Sequence, residues 1–553
     1  MSRAHSLFRN TGSRPLLALT LVASVAAPAV TIDAAHDQDA RDRHEDHDRR
    51  EDRDRDARAI RHVVVIFQEN VSFDHYFATY PRAANTDGSA FAPRPGTPAV
   101  DGLFAGGLLD HNPNSTQPFR LSHEQAVTCD QDHDYTDEQR SYGAGAMNAF
   151  PETVGVGAPG CFDAGKGTGL VMGYYDGNTV TALWNYAQHF AMSDHSFSTM
   201  FGPSTPGALN LIAGQTHGAA IAPDRLGRFG RASGNVTAID ASGIGSVIGD
   251  PRPAPALDDC TLPSPAPPAA PRTYITMTGR NIGDLLNEEH VTWGWFQGGF
   301  RPTVPATATT PAVCGSAHQS SLVPSTRDYI PHHEPFQYYR QTANVHHLPP
   351  SSVSRIGQTD QANHQYDLQD FFAALDAGHL PAVSYLKAAA YQDGHAGYSD
   401  PLDEQEFLVT TVNRLMQSPE WEHLAIFVLY DDSDGWYDHV MGPIVNQSNT
   451  PDDHLFGPGN CGTARPGAFQ GRCGYGPRQP FLLISPWTRQ NYVDHGLTDQ
   501  SSTLRFIEDN WGLGRLGQQS TDAVAGSVLR MFDFDEHHPR APRLILNPLN
   551  GAR

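Results

Sequence analysis

Basic residues are scarce in this sequence of 553 residues, which has 38 Lys and Arg against 61 Asp and Glu and so a formal net charge of −23. A nucleic-acid groove needs a basic surface that displaces counterions, so nucleic acid is excluded as the expected partner. The GxSxG, P-loop and HExxH signatures are absent too, which disfavours an α/β-hydrolase esterase, a P-loop NTPase and a zincin protease. Gly and Pro are plentiful, with 51 and 42 residues, and predict many ordered loops.

Long hydrophobic runs are also lacking, except for residues 16–30 near the N-terminus. Arg3, Arg9 and Arg14 precede this run, and Ala27-Pro28-Ala29 within it has the small-x-small pattern of a cleavage site. Residues 1–30 are therefore predicted to be a signal peptide; a membrane anchor is disfavoured by Pro28 and by the short length of the run. The mature protein is expected to be secreted or periplasmic, with no stable membrane span.

Apolar residues are almost missing from residues 36–58, which read HDQDARDRHEDHDRREDRDRDAR. A segment with so little to bury predicts a disordered charged linker over residues 31–59, and weak metal binding by its His and Asp residues is the less favoured interpretation. The folded domain is expected to cover residues 60–553. Within it, residues 250–272 are Pro-rich and residues 299–326 are loop-like, and both are expected to be insertions at the rim of a site.

The six cysteines include no CxxC pair, so zinc-finger spacing is absent. An even number of cysteines in an exported chain favours disulfides. Sequence proximity suggests the pairs Cys129–Cys161, Cys260–Cys314 and Cys461–Cys473.

Short continuous apolar runs predict buried strands at residues 63–67, 382–386, 423–430 and 481–485, and helical patterns cover residues 182–190, 406–416 and 501–511. Strands that alternate with helices predict an α/β fold with a mostly parallel sheet covered on both faces. Ligands of such sheets bind beyond the carboxyl ends of the strands. The polar residues that directly follow these strands are therefore the candidates for a site.

Two of these strands are followed by oxygen-bearing side chains. Glu69 and Asn70 follow the first strand and suit a hard or borderline cation, although on its own this pair favours a strand-end turn with Asn70 at a helix N-cap. Asp431 and Asp432 follow the strand at residues 423–430, where two adjacent carboxylates repel each other unless a cation lies beside them. Gly435 permits a tight turn that would return the following residues, 438–439, to the same site.

A hydroxyl-bearing turn, Phe201-Gly202-Pro203-Ser204-Thr205-Pro206-Gly207, precedes an apolar stretch. Ser204 is interpreted as a nucleophile activated by a metal. In the alternative interpretation, Ser204 or Thr205 is the N-cap of a helix with Pro206 in its first turn, and the two interpretations are compatible. Histidines lie in several polar segments as candidate phosphate donors, metal ligands or general acids, although each alone fits an ordinary loop residue equally well; they are His133, His332, His333 and His395.

Residues 62–77, HVVVIFQENVSFDHYF, closely resemble the N-terminal signature of the bacterial phosphoesterase family, which holds phospholipases C of the non-haemolytic type and acid phosphatases. Further motifs match in order over residues 60–515, and they are MGYY (172–175), SDH (193–195), GPS (202–204), residues 332–339, DGH (393–395), residues 430–439, and GPRQP (476–480) leading to residues 485–486. The resemblance implies a three-layer α/β/α fold of the alkaline-phosphatase/sulfatase type, with loop insertions.

The resemblance also implies roles for particular residues. The metal ligands of the family fall on Glu69, Asn70, Ser204, Asp431 and Asp432, and Ser204 is similar to the family's hydroxyl nucleophile, which becomes phosphorylated. The site histidines of the family fall on His133, His332, His333 and His395. A divalent metal ion is the implied cofactor, and the oxygen-rich ligand set leaves zinc, calcium, magnesium and manganese open.

The sequence departs from the family pattern at two cationic positions. The usual Arg of the first motif is Val71, and a Gly-Lys-Met stretch is replaced by residues 145–147, GAM. Lys166 and Lys387 are candidates for the missing phosphate-binding cation. The variant turn also leaves Thr205 as a second candidate nucleophile.

The expected reaction is hydrolysis of a phosphate ester through a phosphoserine. Larger phospholipases C of the family carry further C-terminal β domains, whereas this chain ends 42 residues after Trp511. This length favours an acid phosphatase acting on small phosphate esters, and the alternative is a phospholipase C acting on phosphatidylcholine-type phospholipids. A third possibility is a non-catalytic exported protein that binds metal or phosphate. The oligomeric state is open.

Overall fold

The computed structural model describes residues 59–157, 161–223, 235–250, 254–261, 274–319, 325–535 and 540–553. The predicted signal peptide and the predicted linker up to residue 58 lie outside the described residues, so both stay predictions. The central element is an eight-stranded sheet with the order β4-β3-β5-β1-β6-β7-β2-β8. Its strands are β1 (His62–Gln68), β2 (Ala191–Ser193), β3 (Trp293–Gln297), β4 (Gln365–Asp367), β5 (Val383–Lys387), β6 (Leu424–Tyr430), β7 (Phe481–Ile484) and β8 (Tyr492–Asp494).

The sheet is mostly parallel, as predicted. Only β7 runs antiparallel to its neighbours, β6 and β2, while the other contacts in the sheet are parallel. The strands predicted from continuous apolar runs are β1, β5, β6 and β7. Strands β2, β4 and β8 have only three residues each, too few for a run to reveal them. The aromatic β3, WGWFQ, was not predicted either.

Alternate residues of β1 pack into two separate cores, because successive side chains of a strand point to opposite faces of the sheet. Val64 and Ile66 belong to one core, and Val63, Val65 and Phe67 belong to the other. Helices cover both faces, and this gives the expected three layers. The helices are α1 (Phe73–Phe77), α2 (Tyr135–Ser141), α3 (Phe150–Thr153), α4 (Thr181–His189), α5 (Ser204–Ala213), α6 (Ile282–Glu288), α7 (Leu368–Asp376), α8 (Pro401–Gln417) and α9 (Ser501–Trp511).

The first core receives α4, α7 and α8, and the second receives α5, α6 and α9. The predicted helices at residues 182–190, 406–416 and 501–511 correspond to α4, α8 and α9, and α8 starts five residues earlier than predicted. Asp400 explains that earlier start, because its side chain accepts hydrogen bonds from the backbone N–H groups of Leu402 and Asp403 and so caps the helix.

The Pro-rich segment contributes one short strand at the edge of a sheet. Ala254–Pro255 pairs with the end of a smaller five-stranded sheet, where an edge position tolerates a proline that cannot donate a hydrogen bond. The other strands of that sheet are His217–Ala222, Val236–Thr237, Ile244–Val247 and Tyr274–Met277. Two-stranded pairs complete the described strands, and they are Phe119–Arg120 with Gly173–Tyr174, Ser196–Phe197 with Thr498–Asp499, and Ala317–His318 with Thr326–Arg327.

Three disulfides join Cys129 to Cys161, Cys260 to Cys314 and Cys461 to Cys473, so the pairing predicted from sequence proximity is confirmed. Within the described ranges, every helix is too short or too polar to cross a bilayer.

Candidate functional site

The candidate site forms where β1 and β6 end side by side. The two strands are parallel, with Gln68 opposite Tyr430, so the residues that follow them leave the sheet together. Asn70 adopts a left-handed backbone conformation with φ of 62°, and its backbone N–H donates to Asp431 Oδ1 at 2.9 Å. The helix that follows is capped by Ser72, whose hydroxyl accepts from a backbone N–H, so Asn70 is not an N-cap.

Helix α5 brings Ser204 to these carboxylates. Its hydroxyl lies 2.9 Å from Glu69 Oε2 and 3.1 Å from Asp432 Oδ2. Ser204 is the first residue of the helix and Pro203 takes the cap position, so the N-cap interpretation of Ser204 was wrong. The alternative nucleophile, Thr205, has its backbone N–H bonded to Asp250 at 2.9 Å.

A glycine allows this close approach of α5. A Cβ atom at Gly207 would lie 2.4 Å from the backbone oxygen of Asp431, so no other residue fits without moving one of the two segments. The helix backbone therefore rests directly on the loop that carries Asp431 and Asp432.

The structure brings the four predicted histidines to the same place. His333 Nδ1 lies 3.1 Å from Glu69 Oε1, and the rings of His332 and His333 are 4.3 Å apart. His133 Nδ1 lies 3.3 Å from Asp434 Oδ1, and the centres of the His133 and His395 rings are 6.2 Å apart.

Lys387, one of the two candidate cations, lies in the site. It is the last residue of β5, it is buried, and its ammonium group contacts Glu69 Oε1. The other candidate, Lys166, is exposed and lies over the ring of Phe119. The position of Lys387 at the carboxyl end of a buried strand is the signal that could have distinguished it from Lys166.

Sequence reasoning missed several acidic neighbours. Asp393 is grouped with Glu69 and His333 closely enough to share a metal ion, and Asp434 Oδ1 accepts from Asn70 Nδ2 at 3.1 Å. Glu138 accepts from the Ser433 hydroxyl at 2.6 Å and from the backbone N–H of Gly202 at 2.8 Å, and so ties the nucleophile turn to the Asp431–Asp432 loop.

Burial and mutual repulsion shift the acidity of these carboxyl groups. Burial, and next the charge of Asp431, raise the pKa of Glu69 well above its usual value, although Lys387 opposes this shift. The same two causes raise the pKa of Asp432 well above its usual value. Burial also raises the pKa of Asp393 to about 8. The site therefore holds more acidic groups than its cations neutralise.

The pKa values of the four site histidines shift in opposite directions. Burial lowers the pKa of His332, His333 and His395. Burial also acts to lower the pKa of His133, but the charges of Asp432 and Asp434 outweigh it and raise that pKa well above its usual value. The imidazoles of the site therefore differ in how readily they hold a proton, and His133 holds it most readily.

Three buried oxygens of the site have no protein donor. Among the described residues, no N–H or hydroxyl group donates a hydrogen bond to Asn70 Oδ1, Asp431 Oδ2 or Asp434 Oδ2. Buried polar atoms normally find a partner, and a cation satisfies such oxygens. The five predicted ligands therefore fit a divalent ion that prefers oxygen.

Asp438 and His439 do not return to this site, so that expectation was wrong. They form a separate group, called here the Arg478 cluster, with Arg478, Asp74 and Asp101. Arg478 Nη2 lies 3.1 Å from Asp438 and 3.2 Å from Asp74, and His439 Nδ1 lies 2.6 Å from Asp74. The buried Arg478 cation attracts Asp438, and the carboxylates of Asp74 and Asp101 hold His439, so neither side chain joins Ser204.

A model of the phosphoesterase family matches residues 60–514, and the chain therefore belongs to the phosphoesterase family, among hydrolases that act on phosphoric ester bonds. It is 24% identical to the non-hemolytic phospholipase C of Pseudomonas aeruginosa over 87% of this chain and 59% of that protein. It is 25% identical to phospholipase C B of Mycobacterium tuberculosis over 89% of this chain and 81% of that protein. It is 23% identical to non-specific phospholipase C6 of Arabidopsis thaliana over 78% of this chain and 63% of that protein. The chain thus spans about three fifths of the Pseudomonas relative.

Proposed function

We propose that this member of the phosphoesterase family is a metal-dependent phospholipase C, which hydrolyses the phosphodiester of phosphatidylcholine-type lipids through a phosphoserine at Ser204. The observation that carries the proposal is the similarity to proteins named phospholipase C in two bacteria and a plant, over most of this chain. The convergence of Ser204 with two carboxylates supports the nucleophilic step. The three disulfides support export of the protein.

The expectation of an acid phosphatase is not supported. It rested on the 42 residues after Trp511, but this chain covers 81% of the mycobacterial phospholipase C B, so length does not separate the two activities. The three layers around a mostly parallel sheet support an extension of the proposal to a fold of the alkaline-phosphatase/sulfatase type.

Glu69, Asn70, Ser204, Asp431 and Asp432 would hold the divalent ion. When bound, the ion supplies Lewis acidity, which lowers the pKa of the alcohol and neutralises phosphoryl charge. The hydrogen bonds of Ser204 to Glu69 and Asp432 orient its oxygen for in-line attack on phosphorus, and the hydroxyl proton passes to one of these carboxylates. The bond from phosphorus to the diacylglycerol oxygen then breaks.

The leaving diacylglycerol oxygen needs a proton, and an imidazole of the site donates it in this mechanism. His133, whose pKa is raised, is the first candidate for this donor, and His395, whose pKa is lowered, is the second. After this step Ser204 carries phosphocholine as a phosphodiester. Water then attacks its phosphorus, and the same groups act in reverse to release phosphocholine and restore Ser204. In this mechanism, the N-terminus of α5, which begins at Ser204, and the ammonium group of Lys387, which contacts Glu69, stabilise negative charge on the phosphoryl oxygens.

The direct test compares purified protein on phosphatidylcholine vesicles and on p-nitrophenyl phosphate across pH, with and without a chelator. We expect the lipid to be the better substrate by kcat/KM and the chelator to abolish the activity. A clear preference for the monoester would restore the acid phosphatase. A protein that binds metal but hydrolyses neither substrate would favour the non-catalytic alternative.

Two substrates whose leaving groups differ in their need for a proton identify the general acid. Replacement of the proton donor, by His133→Ala or His395→Ala, slows release of diacylglycerol far more than release of p-nitrophenolate from p-nitrophenyl phosphorylcholine, because p-nitrophenolate leaves without a proton. Equal losses on both substrates would show that the imidazole binds phosphate instead.

A further inference from the structure

A second group of metal-type side chains lies outside the candidate site, where β2 and β8 end. The two strands are parallel neighbours, with Ser193 opposite Asp494. An Asp-His dipeptide occurs at each end: Asp194 and His195 follow β2, while Asp494 closes β8 and His495 follows it. The two histidines therefore leave the sheet at the same edge.

The two segments that follow β2 and β8 also pair with each other a few residues further along the chain. Ser196 pairs with Thr498 and Phe197 with Asp499 in a short parallel ladder. Between the two ladders, the backbone N–H of Thr498 donates to the carbonyl of His195 at 3.0 Å. The residues that carry the imidazoles are thus fixed on both sides, which is the preorganisation that a metal site needs.

The side chains converge on one carboxylate, and we call Asp194, His195 and His495 the His195–His495 cluster. His195 Nδ1 lies 3.0 Å and His495 Nδ1 lies 2.9 Å from Asp194 Oδ1. The three candidate ligand atoms lie within 4.8 Å of one another. The second oxygen of Asp194 accepts from the backbone N–H of Asp101 at 2.8 Å, a hydrogen bond that orients the carboxylate.

The cluster is exposed on one side, so an ion from solvent can reach it. The carboxylate of Asp194 is fully buried, whereas the His495 side chain is 63% exposed. The buried cation Arg478 lies beside the cluster, and its Nη1 donates to the backbone carbonyl of Asp194 at 3.0 Å. Asp74 and Asp438 balance its positive charge, so it does not prevent a metal ion from binding at the cluster. The open side of the cluster faces solvent through His495, which leaves room for a water ligand.

We propose that Asp194, His195 and His495 form a second metal site, which binds a borderline transition-metal ion such as zinc and clamps the ends of β2 and β8. Two imidazole nitrogens and one carboxylate oxygen, with a fourth position left to water, are a ligand set that zinc favours. The set differs from the oxygen-rich candidate active site, so the two sites select different ions. The proposal does not depend on the proposed function.

Zinc titration of the chelator-treated full chain tests the proposal. We expect His195→Gln/His495→Gln to bind one zinc equivalent fewer than the unaltered protein, and Co²⁺ to lose its tetrahedral visible absorption in this variant. The control His379→Gln removes an exposed histidine outside the cluster and leaves both readouts unchanged. Equal zinc stoichiometry and equal Co²⁺ spectra in all three proteins would overturn the proposal.

Two further variants keep the result interpretable. His495→Gln alone changes an exposed side chain, so it folds even if the double variant does not, and we expect its zinc affinity at the cluster to fall at least about tenfold. An unchanged affinity would contradict the site. Asp432→Asn, in the candidate active site, is expected to lose lipid hydrolysis and keep the tetrahedral Co²⁺ spectrum, whereas the His195/His495 variant keeps hydrolysis. Failure of one proposal is thereby separated from failure of the other.

Discussion

The candidate site and the Arg478 cluster both bury several carboxylates, but they balance that charge differently. In the Arg478 cluster, Arg478 and His439 face Asp74, Asp438 and Asp101, and the pKa of His439 rises to about 10 because these carboxylates outweigh its burial. In the candidate site, Lys387 and His133 face six acidic groups, which are Glu69, Glu138, Asp393, Asp431, Asp432 and Asp434.

The difference in balance separates a structural ion cluster from a binding site. Buried ions are tolerated where partners of opposite charge satisfy them, as around Arg478. In the candidate site the excess is larger, and burial together with neighbouring carboxylates raises the pKa values of Glu69, Asp432 and Asp434 well above their usual values. In the Arg478 cluster, burial raises the pKa of Asp438 only to about 6, because Arg478 opposes the shift. An external cation in the candidate site therefore lowers the free energy of the folded protein. The predictions below test this contrast, from the largest expected effect to the smallest.

Removal of the nucleophile should produce the largest effect. Ser204→Ala is expected to lower kcat for phosphodiester hydrolysis by about 10³-fold or more, because no other hydroxyl bonds both Glu69 and Asp432 among the described residues. Steady-state kinetics on phosphatidylcholine measure the loss. Thr205→Ala is the matched control and should retain most activity, and the reverse outcome would make Thr205 the nucleophile.

Loss of the central cation should damage the Arg478 cluster most. Arg478→Met leaves Asp74 and Asp438 buried without their partner, so we expect the free energy of unfolding to fall by about 3–5 kcal/mol in urea denaturation. The control Arg280→Met breaks an ion pair with Glu288 in which both side chains are exposed, and it should cost less than about 1 kcal/mol. Similar losses of unfolding free energy in the two variants would mean that the ion pairs of Arg478 stabilise the fold no more than an exposed ion pair does.

Metal binding should stabilise the candidate site and not the Arg478 cluster. A divalent ion that prefers oxygen ligands, such as Mg²⁺ or Ca²⁺, at about 100 times its Kd is expected to raise the free energy of unfolding by about 3 kcal/mol. Asp432→Asn should abolish this increment, and Asp438→Asn should keep it whatever its own stability. An increment that survives in Asp432→Asn would locate the stabilising ion elsewhere, for instance at His195 and His495.

A pH effect is expected beneath the candidate site at Glu404. Burial raises its pKa to about 7, although hydrogen bonds from Tyr430 and Tyr76 oppose the shift. The folded protein thus keeps a proton that the unfolded chain has lost, so the stabilisation is present at low pH and disappears as pH rises through about 7. Relative to Glu404→Gln, the unaltered protein should lose about 2 kcal/mol of stability between about pH 5 and about pH 8. Parallel stability curves for the two proteins would contradict this.

Features that depend on local sequence were predictable. Long apolar runs revealed β1, β5, β6 and β7, and the rule that sites lie beyond the carboxyl ends of strands selected Glu69, Asn70, Asp431 and Asp432. The resemblance to the family contributed Ser204 as the phosphorylated residue and the roles of the histidines. The proximity of all these groups in the structure agrees with those expectations, while their catalytic roles stay predictions.

Features that depend on distant partners were not predictable. A run of apolar residues does not reveal strand direction, so the antiparallel β7 was not anticipated. Asp438 turns away from Ser204 because Arg478 attracts it from 40 positions along the chain. Pro255 enters a sheet because Tyr274–Met277 offers it an edge.

The contact between Gly207 and Asp431 has a wider consequence. Glycine inside a helix weakens it by about 1 kcal/mol relative to alanine, yet here the missing methyl group lets two main chains touch. The distance between the backbone of α5, which carries Ser204, and the loop that carries Asp431 and Asp432 is thereby set by direct contact of two main chains. No side chain lies between them whose rotamer could change this distance. Substitutions in the loops around the candidate site can therefore change which ester binds without changing the distance between Ser204 and the carboxylates.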